Sequence, residues 1–167
     1  MNVPVLSYLL VLGLLGACSS GASQSGEGSV IEGTAVVVDG DGVEIDGRKI
    51  RLFGIDAPET GQYCERDDGV RWRCGQYSTV ELDRLAGGRR LSCEVKDVDP
   101  YDRPVAVCRA GDRDIAAEQV RGGWAVAYRR YSERYIELED EARRARRGVW
   151  QGSFEKPWDW RRRMREN

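Results

Sequence analysis

Residues 51–59 read RLFGIDAPE. From Lys49 to Ile55 the side chains alternate between two faces, which is the pattern of a β-strand. Pro58 ends this pattern, because proline cannot donate the backbone hydrogen bond that a neighbouring strand requires. The turn carries two carboxylates, Asp56 and Glu59. The stretch therefore predicts a strand that ends in an acidic turn.

Two shorter strand patterns precede this stretch. Ile31 to Val38 is rich in β-branched residues, and a second strand is predicted from Val43 to Ile45. Asp39-Gly40-Asp41-Gly42, between them, has the composition of a turn, and Asp46-Gly47 is a typical hairpin sequence. Three short strands in succession predict a meander.

Helical and strand patterns alternate in the rest of the chain. Gln76 to Ala86 has apolar residues near helical spacing, and its helix is expected to stop at two glycines. Strands are predicted at Leu91 to Val95 and at Val105 to Arg109, joined by the turn 99–102. Residues 114–122 predict a short helix.

Ser132 is a candidate N-cap for a longer helix near the C-terminus. An apolar stripe at helical spacing follows it and is formed by Tyr135, Leu138, Ala142, Ala145 and Val149. Five short strands with helices between and after them predict an α+β fold, mainly a barrel of the OB-fold kind with packed helices.

Composition limits the possible chemistry. The chain has 167 residues and a net charge of −2, which fits one domain plus an export segment and excludes a simple polycation. From Arg121 to Asn167 there are thirteen Lys/Arg and eight Asp/Glu, so this third could face phosphates. The absence of histidine excludes Ser-His-Asp catalysis and most zinc hydrolase sites.

Residues 1–18 have the pattern of an export signal. The apolar run from Met1 to Leu15 is too short to cross a bilayer of roughly 30 Å, but it suits a secretory signal. Leu15-Gly16-Ala17-Cys18 resembles a lipobox and predicts acylation of Cys18, with an ordinary cleaved signal peptide as the alternative. Residues 19–29 predict a flexible Ser/Gly linker, so the folded domain is expected at 30–167.

Four cysteines follow Cys18, and export predicts an oxidising compartment. In a hairpin centred on the turn 99–102, Cys93 lies opposite Cys108, which suits a cross-strand disulfide. Cys64 and Cys74 would then form the second disulfide. A four-cysteine zinc site is the rival interpretation, although no CxxC spacing supports it.

The acidic turns and two arginines have the residue types that phosphodiester hydrolysis needs. Asp39 and Asp41 lie on a turn that the meander could bring near Arg51, and Arg103 follows a third turn. A hard cation with oxygen ligands reduces the repulsion between phosphate and an attacking hydroxide. Arginine binds phosphate oxygens in a bidentate manner, and a carboxylate can orient the water or accept its proton. Each feature alone has an ordinary structural explanation, but the combination indicates hydrolysis.

An ordered series of motifs resembles the staphylococcal nuclease-like (thermonuclease) family, in particular its exported bacterial members. The resemblance covers roughly residues 31–161. It rests on Asp39-Gly40-Asp41, RLFGIDAPE, Cys74-Gly75-Gln76, Asp99-x-Tyr101-x-Arg103, Gly123-Trp124-Ala125, Glu141-Ala142-Arg143, Arg147-Gly148-Val149-Trp150 and Pro157-Trp158-Asp159-Trp160-Arg161.

The resemblance implies a five-stranded OB-fold barrel with three helices, and a calcium-dependent endonuclease that cuts DNA and RNA with little sequence preference. We expect a monomer at the cell envelope, or a secreted or periplasmic protein, with membrane contact only through a lipid anchor. The implied site consists of calcium held by Asp41, Asp56 and the Ala57 carbonyl, phosphate bound by Arg51 and Arg103, water beside Glu59, and nucleotide contacts at Tyr101 and Tyr128.

The sequence departs from the family pattern at two positions. Gly42 stands where Thr is usual, and Asp102 stands where Gly is usual. Both changes leave the activity level open. The alternatives are a non-catalytic OB module that binds nucleic acid or protein, and an envelope lipoprotein with a structural role. A nuclease is favoured, because a binding module has no need of Glu59 near a phosphate.

Overall fold

A computed structural model describes residues 28–166. The predicted signal peptide, Cys18 and most of the linker lie outside the described residues. In chain order the strands and helices are β1 (Val30–Val37), β2 (Gly42–Ile45), β3 (Arg48–Leu52), β4 (Ile55–Asp56), β5 (Cys64–Arg66), β6 (Arg71–Trp72), α1 (Cys74–Ala86), β7 (Arg90–Val98), β8 (Pro104–Ala110), β9 (Arg113–Asp114), α2 (Ile115–Arg121), β10 (Val126–Ala127), α3 (Ile136–Arg144), a 3-10 helix (Gly148–Gln151), β11 (Gly152–Ser153) and α4 (Pro157–Glu166).

Five strands close into a barrel. β1 pairs antiparallel with β2 and β7, β2 pairs with β3, and β7 pairs with β8. A parallel contact between β3 and β8, with Arg51 opposite Val105, joins the two ends of this sheet. The α+β fold with a five-stranded OB-type barrel is therefore confirmed. β9 continues the sheet beyond β8.

The core lies inside the barrel and under the helices that cover it. Its largest fully buried aliphatic side chains are Ile45, Ile50, Leu52, Ile55, Leu82, Leu91 and Ile115. Burying one such side chain stabilises a fold by about 1.5–3 kcal/mol. A smaller cluster holds Cys64, Trp72, Cys74 and Val149. The disulfides join Cys64 to Cys74 and Cys93 to Cys108, the pairs that the sequence predicts.

The prediction of one strand from Lys49 to Ile55 is wrong at its end. β3 stops at Leu52, and the chain turns through Gly54, whose φ is +75°. It then pairs as β4 with β10, with Asp56 opposite Val126. Glycine adopts a positive φ at little cost in free energy, whereas a residue with a Cβ would be strained here. That Cβ would also lie 3.2 Å from the ring of Tyr135. This turn lies between Arg51 and Asp56 in the chain, and the two side chains contact each other.

The prediction for the third helix is also partly wrong. Ser132 does not cap it, because α3 begins at Ile136 and the Ser132 hydroxyl accepts a hydrogen bond from the Arg134 N–H at 3.1 Å in the preceding turn. The apolar stripe ends early, since α3 stops at Arg144 and Ala145 is exposed. Left-handed backbone at Arg146, with φ of 54°, prevents the helix from continuing.

Two segments are more regular than the sequence predicts. Residues 64–74, where the sequence analysis assigns no strand, contain the β5–β6 hairpin, which also pairs with β11. Residues 157–166, rich in Trp and Arg, form α4, a fourth helix beyond the three that the family resemblance implies. Its first residue is Pro157, a favourable first position because the missing N–H would be unpaired there. Within residues 28–166, every helix is too short or too polar to cross a bilayer.

Candidate active site

One open cleft of about 750 Å³ brings together most of the site residues that the sequence predicts. The lining residues include Asp41, Arg51, Ala57, Glu59, Tyr101, Arg103 and Tyr128. The remaining one, Asp56, is fully buried and contacts Arg51. The cleft is formed by the Asp39–Gly42 turn, the chain that follows β3, the β7–β8 turn and α4.

Arg51 bridges two buried carboxylates at the centre of this cleft. Its Nη1 donates to Asp41 at 3.1 Å and its Nη2 donates to Asp56 at 2.7 Å. The register between β2 and β3 explains the first contact, because Gly42 pairs with Arg51 and Asp41 immediately precedes Gly42. The second Asp41 oxygen accepts a hydrogen bond from the Ala57 N–H at 2.9 Å. Strand pairing therefore places Asp41 beside Arg51, and hydrogen bonds join Asp56 and Ala57 to this pair.

Burial and neighbouring acids make Asp41 costly to ionise. Burial raises the pKa of Asp41 to about 8, Arg51 opposes that rise, and Asp56 and Asp39 add to it. A carboxylate that is costly to ionise beside another acid favours a bound cation, since a cation relieves both the burial and the repulsion.

A third arginine, which the sequence analysis did not assign to the site, comes from α4. Arg161 donates to both oxygens of Asp56, at 3.0 and 2.8 Å, and to Glu59 at 2.6 Å. Burial lowers the pKa of Arg161, but these hydrogen bonds outweigh it and hold the pKa above its ordinary value. The sequence signal for this arginine is the motif that ends at Arg161, one of those on which the family resemblance rests.

Arg103 is held in place by Asp99. Its Nε donates to Asp99 at 2.7 Å, and the same carboxylate accepts the backbone N–H groups of Tyr101 and Arg103 at 2.9 and 3.0 Å. Partial burial raises the pKa of Asp99, but these hydrogen bonds lower it below its usual value. The Arg103 guanidinium lies 5.6 Å from the ring centroid of Tyr101, which is largely exposed. Asp102 takes no part in holding Arg103 and has a left-handed φ of 61°.

Buried amides fix the backbone of the two acidic turns. Gln119, fully buried on α2, donates to the Gly40 carbonyl at 3.0 Å. Gln62, also fully buried, accepts from the Glu59 N–H at 3.2 Å and donates to the Glu155 carbonyl at 2.6 Å. These bonds connect the site to α2 and to the segment that precedes α4.

A close backbone approach explains the glycine of the Cys74-Gly75-Gln76 motif. A Cβ at Gly75 would lie 1.7 Å from the Glu59 carbonyl oxygen, so only glycine allows α1 to reach this turn. Tyr128 is placed in a different way, by its neighbours in an aromatic group. Its ring stacks on Trp158 with centroids 5.3 Å apart and meets the edge of Tyr131 at 4.9 Å.

The donor set fits the calcium ion that the family resemblance implies. Calcium binds hard oxygens, and Asp41 and Asp56 present such oxygens in a buried centre where a carboxylate is costly to ionise without a cation. Within residues 28–166, no group of three or more His, Cys, Asp or Glu side chains forms a metal cluster. The calcium site that the resemblance implies uses two carboxylates and the Ala57 carbonyl, so it contains fewer acidic side chains than such a cluster.

Gly42 also bears on this centre. A Cβ at position 42 would lie 2.7 Å from a carboxylate oxygen of Asp39. The same Asp39 oxygen accepts the Asp41 N–H at 3.1 Å. The glycine therefore leaves room for Asp39 to brace the turn that carries Asp41.

Comparison with known proteins agrees with this geometry. The family model described as "Staphylococcal nuclease homologue" matches residues 49–152. The matched range contains Arg51, Asp56, Glu59 and Arg103, whereas Asp41 and Arg161 lie outside it.

Individual relatives have names of the same kind. "Probable staphylococcal-like nuclease CAN2" of Oryza sativa subsp. japonica is 35% identical over 120 residues, which are 70% of this chain and 30% of the rice protein. "Micrococcal nuclease" of Shigella flexneri is 34% identical over 128 residues, 68% of each chain. "Probable endonuclease LCL3" of Clavispora lusitaniae is 30% identical over 118 residues, 60% of this chain and 47% of the yeast protein. The chain thus spans less than a third of the rice protein's length.

Proposed function

The chain belongs to the family of staphylococcal nuclease homologues, and from this premise we propose that it is an endonuclease that hydrolyses DNA, RNA or both, with calcium as its cation. One observation supports this most directly: Arg51, Glu59 and Arg103 line one cleft beside two buried carboxylates. A module that only binds nucleic acid has no use for a carboxylate in the same cleft as two phosphate-binding arginines.

The arginines bind the phosphate and orient it. A guanidinium has five N–H donors. Arg103 uses Nε and Nη2 on Asp99, and Arg51 uses one N–H on each of its two aspartates, so both retain donors for phosphate oxygens. The carboxylate partners keep both side chains in fixed positions. A donor placed where transition-state charge develops lowers the barrier by about 3–4 kcal/mol.

Glu59 acts on the attacking water. Its Oε1 accepts from Arg161 at 2.6 Å, whereas Oε2 accepts no hydrogen bond from residues 28–166. A carboxylate held at one oxygen by a guanidinium can orient a water at the other oxygen and accept its proton. Glu59 is one-third exposed, so water reaches it from the open cleft.

Asp41, Asp56 and the Ala57 carbonyl would hold the calcium ion. When bound, it supplies positive charge that offsets the charge of the phosphate. The arrangement of Arg51 between both carboxylates keeps the ligand oxygens in place before any cation arrives.

The test is incubation of the purified protein with DNA and with RNA, in calcium and in excess chelator. We expect cleavage of at least one polymer in calcium and none in chelator. Unchanged cleavage in chelator, or in Glu59→Ala, would refute the mechanism. Binding of both polymers without cleavage in any divalent cation would favour the non-catalytic OB module instead.

We also propose that the protein is exported and anchored by a lipid on Cys18. The two disulfides support export, because such bonds persist in oxidising compartments. Cell fractionation with and without Cys18→Ser tests the anchor. A mature protein that stays soluble and starts beyond Cys18 would exclude lipidation and leave export possible.

A further inference from the structure

A second groove continues from the active-site cleft. It has a volume of about 730 Å³ and shares Tyr128, Arg161 and Arg165 with the cleft. We call it the C-terminal groove. The rest of its lining consists of Ala127, Arg129, Arg130, Glu139, Arg143, Trp150, Lys156, Trp158 and Arg162. A polymer that lies in the cleft can therefore run directly into this groove.

The groove is strongly basic. Seven of its lining residues are Arg or Lys, and Glu139 is its one acidic residue. Glu139 is buried and already neutralised, because Arg129 donates to it at 2.7 Å and Lys156 lies 3.6 Å away. Arg161 pairs with Asp56 and Glu59 and Arg162 pairs with Asp159, so the remaining positive charge of the groove lies on Arg130, Arg143 and Arg165.

Two exposed arginines in it are available for a ligand. Among residues 28–166, neither Arg130 nor Arg143 forms an ion pair with a carboxylate. Arg143 rests over the ring of Trp150 at 5.5 Å, which orients it without neutralising it. Like charges gathered around one hollow repel each other, and a polyanion in the hollow would remove that repulsion.

Aromatic rings lie among these charges. Trp150 and Trp158 line the groove, and Trp158 stacks on Tyr128, which faces the active-site cleft as well. Lys156 lies 4.3 Å from the Trp150 ring centroid. Cationic side chains interleaved with aromatic rings are the composition of sites that bind single-stranded nucleic acid, where cations contact phosphates and rings contact bases.

We propose that the C-terminal groove is a subsite for a single strand of nucleic acid, holding the part of the substrate that extends beyond the scissile bond. The proposal rests on the proposed nuclease function. Arg130 and Arg143 bind successive phosphates, and the aromatic rings contact the bases. The groove adds affinity for long strands and contributes nothing to a substrate that ends at the cleft.

The experiment compares two variants with the same change in charge. The groove variant is Arg130→Gln/Arg143→Gln. The control is Arg66→Gln/Arg113→Gln, which removes two exposed arginines that line neither hollow. Binding of a fluorescent single-stranded oligothymidylate is measured by anisotropy in chelator, so the strand is not cut. Cleavage in calcium is measured on the same oligonucleotide and on thymidine carrying a p-nitrophenyl phosphodiester.

In the groove variant we expect about a tenfold loss of affinity for the oligonucleotide, and a salt slope smaller by about 1.4, since each phosphate contact in a single strand contributes roughly 0.7. KM for the oligonucleotide should rise while cleavage of the thymidine phosphodiester stays unchanged. The control should bind nearly as the wild type does.

Equal losses in both variants would overturn the proposal in favour of a general charge effect, and so would no loss in either. Binding to phosphatidylglycerol vesicles that exceeds binding to the oligonucleotide, and that the groove variant loses, would identify a membrane surface instead. If the proposed nuclease function is wrong, the wild type leaves both substrates intact. The binding measurements in chelator would still compare the groove variant with the control.

Discussion

Arg161 and Asp56 lie 105 residues apart in the sequence and are joined by two hydrogen bonds of 3.0 and 2.8 Å. The same guanidinium reaches Glu59 at 2.6 Å, so α4 takes part in the charge balance of the candidate active site. Among residues 28–166, Arg51 and Arg161 are the arginines that hydrogen-bond to Asp41, Asp56 or Glu59. The C-terminal helix therefore contributes to the electrostatics of the candidate active site.

Replacing Arg161 should show that the stability of the buried acids depends on α4. In Arg161→Ala the buried Asp56 keeps only Arg51, and we expect a loss of about 1–3 kcal/mol in the free energy of unfolding in chelator. Calcium should restore much of that loss, because the ion supplies the missing positive charge. Thermal denaturation with and without calcium measures both effects. Arg162→Ala, which breaks an exposed pair with Asp159, is the control and should change little. An Arg161→Ala protein as stable as the control in chelator would contradict this account.

Replacing any of the three proposed catalytic side chains should lower kcat without unfolding the protein. We expect Arg51→Lys, Glu59→Gln and Arg103→Lys each to lower kcat by about 10²–10³, since each removes a charge or a fixed donor needed in the transition state. Circular dichroism should show that the barrel remains, because Glu59 and Arg103 are partly exposed. A variant that keeps wild-type kcat would remove its residue from the mechanism.

Asp41 should make stability depend on pH when no divalent cation is present. Burial raises its pKa from the ordinary 3.8 to about 8, so the native state keeps a proton that the unfolded chain loses within that interval. Stability should therefore fall as the pH rises from about 4 to about 8. Asp41→Asn should flatten that fall and abolish stabilisation by calcium. Urea denaturation across this pH range in chelator is the measurement, and an equally steep fall in Asp41→Asn would show that another group is responsible.

The disulfide between β7 and β8 should contribute substantially to stability. Cys93 and Cys108 are fully buried and 15 residues apart, and closing such a loop stabilises by about 3 kcal/mol in the chain-entropy model. Cys93→Ala/Cys108→Ala should lose at least that much, because it also removes buried sulfur atoms. Urea denaturation measures the free energy of unfolding of the wild type and of this variant, both under oxidising conditions. A loss below about 1 kcal/mol would contradict the chain-entropy estimate here.

Local patterns predicted the barrel and part of the site because strand pairing follows from alternation and turn chemistry. Counting outward from the turn 99–102 places Cys93 opposite Cys108, and a bulge between Val95 and Asp97 gives that register in the structure. The contact of Arg161 with Asp56 could not be counted in this way, because it depends on where a distant helix packs. The helical spacing that continued to Val149 was also misleading, since left-handed backbone at Arg146 ends α3 and Val149 packs in a separate cluster.

The last prediction concerns Asp102, the residue beside Arg103, which we propose binds phosphate. Its φ of 61° lies in the left-handed region, which Asp tolerates and Gly adopts freely. Arg103 is oriented by Asp99 through Nε at 2.7 Å, so Asp102 is not needed to aim it. The expected effect of Asp102 on cleavage therefore comes from its negative charge near an incoming phosphate. At about 4 Å, two unit charges repel by about 1 kcal/mol in bulk water and by about 4 kcal/mol at an effective dielectric of 20.

Asp102 is exposed, so the lower figure applies, and removing its charge should speed cleavage roughly fivefold at low salt. Screening by salt should shrink this gain, because the Debye length falls to about 8 Å at physiological ionic strength. Asp102→Asn removes the charge but keeps a side chain that tolerates this backbone, whereas Asp102→Gly also relaxes the backbone. Equal gains in initial rate for both variants, largest at low salt, would assign the effect to charge. A gain only in Asp102→Gly would assign it to the backbone, and an unchanged or slower rate in both at low salt would show that Asp102 does not repel the substrate.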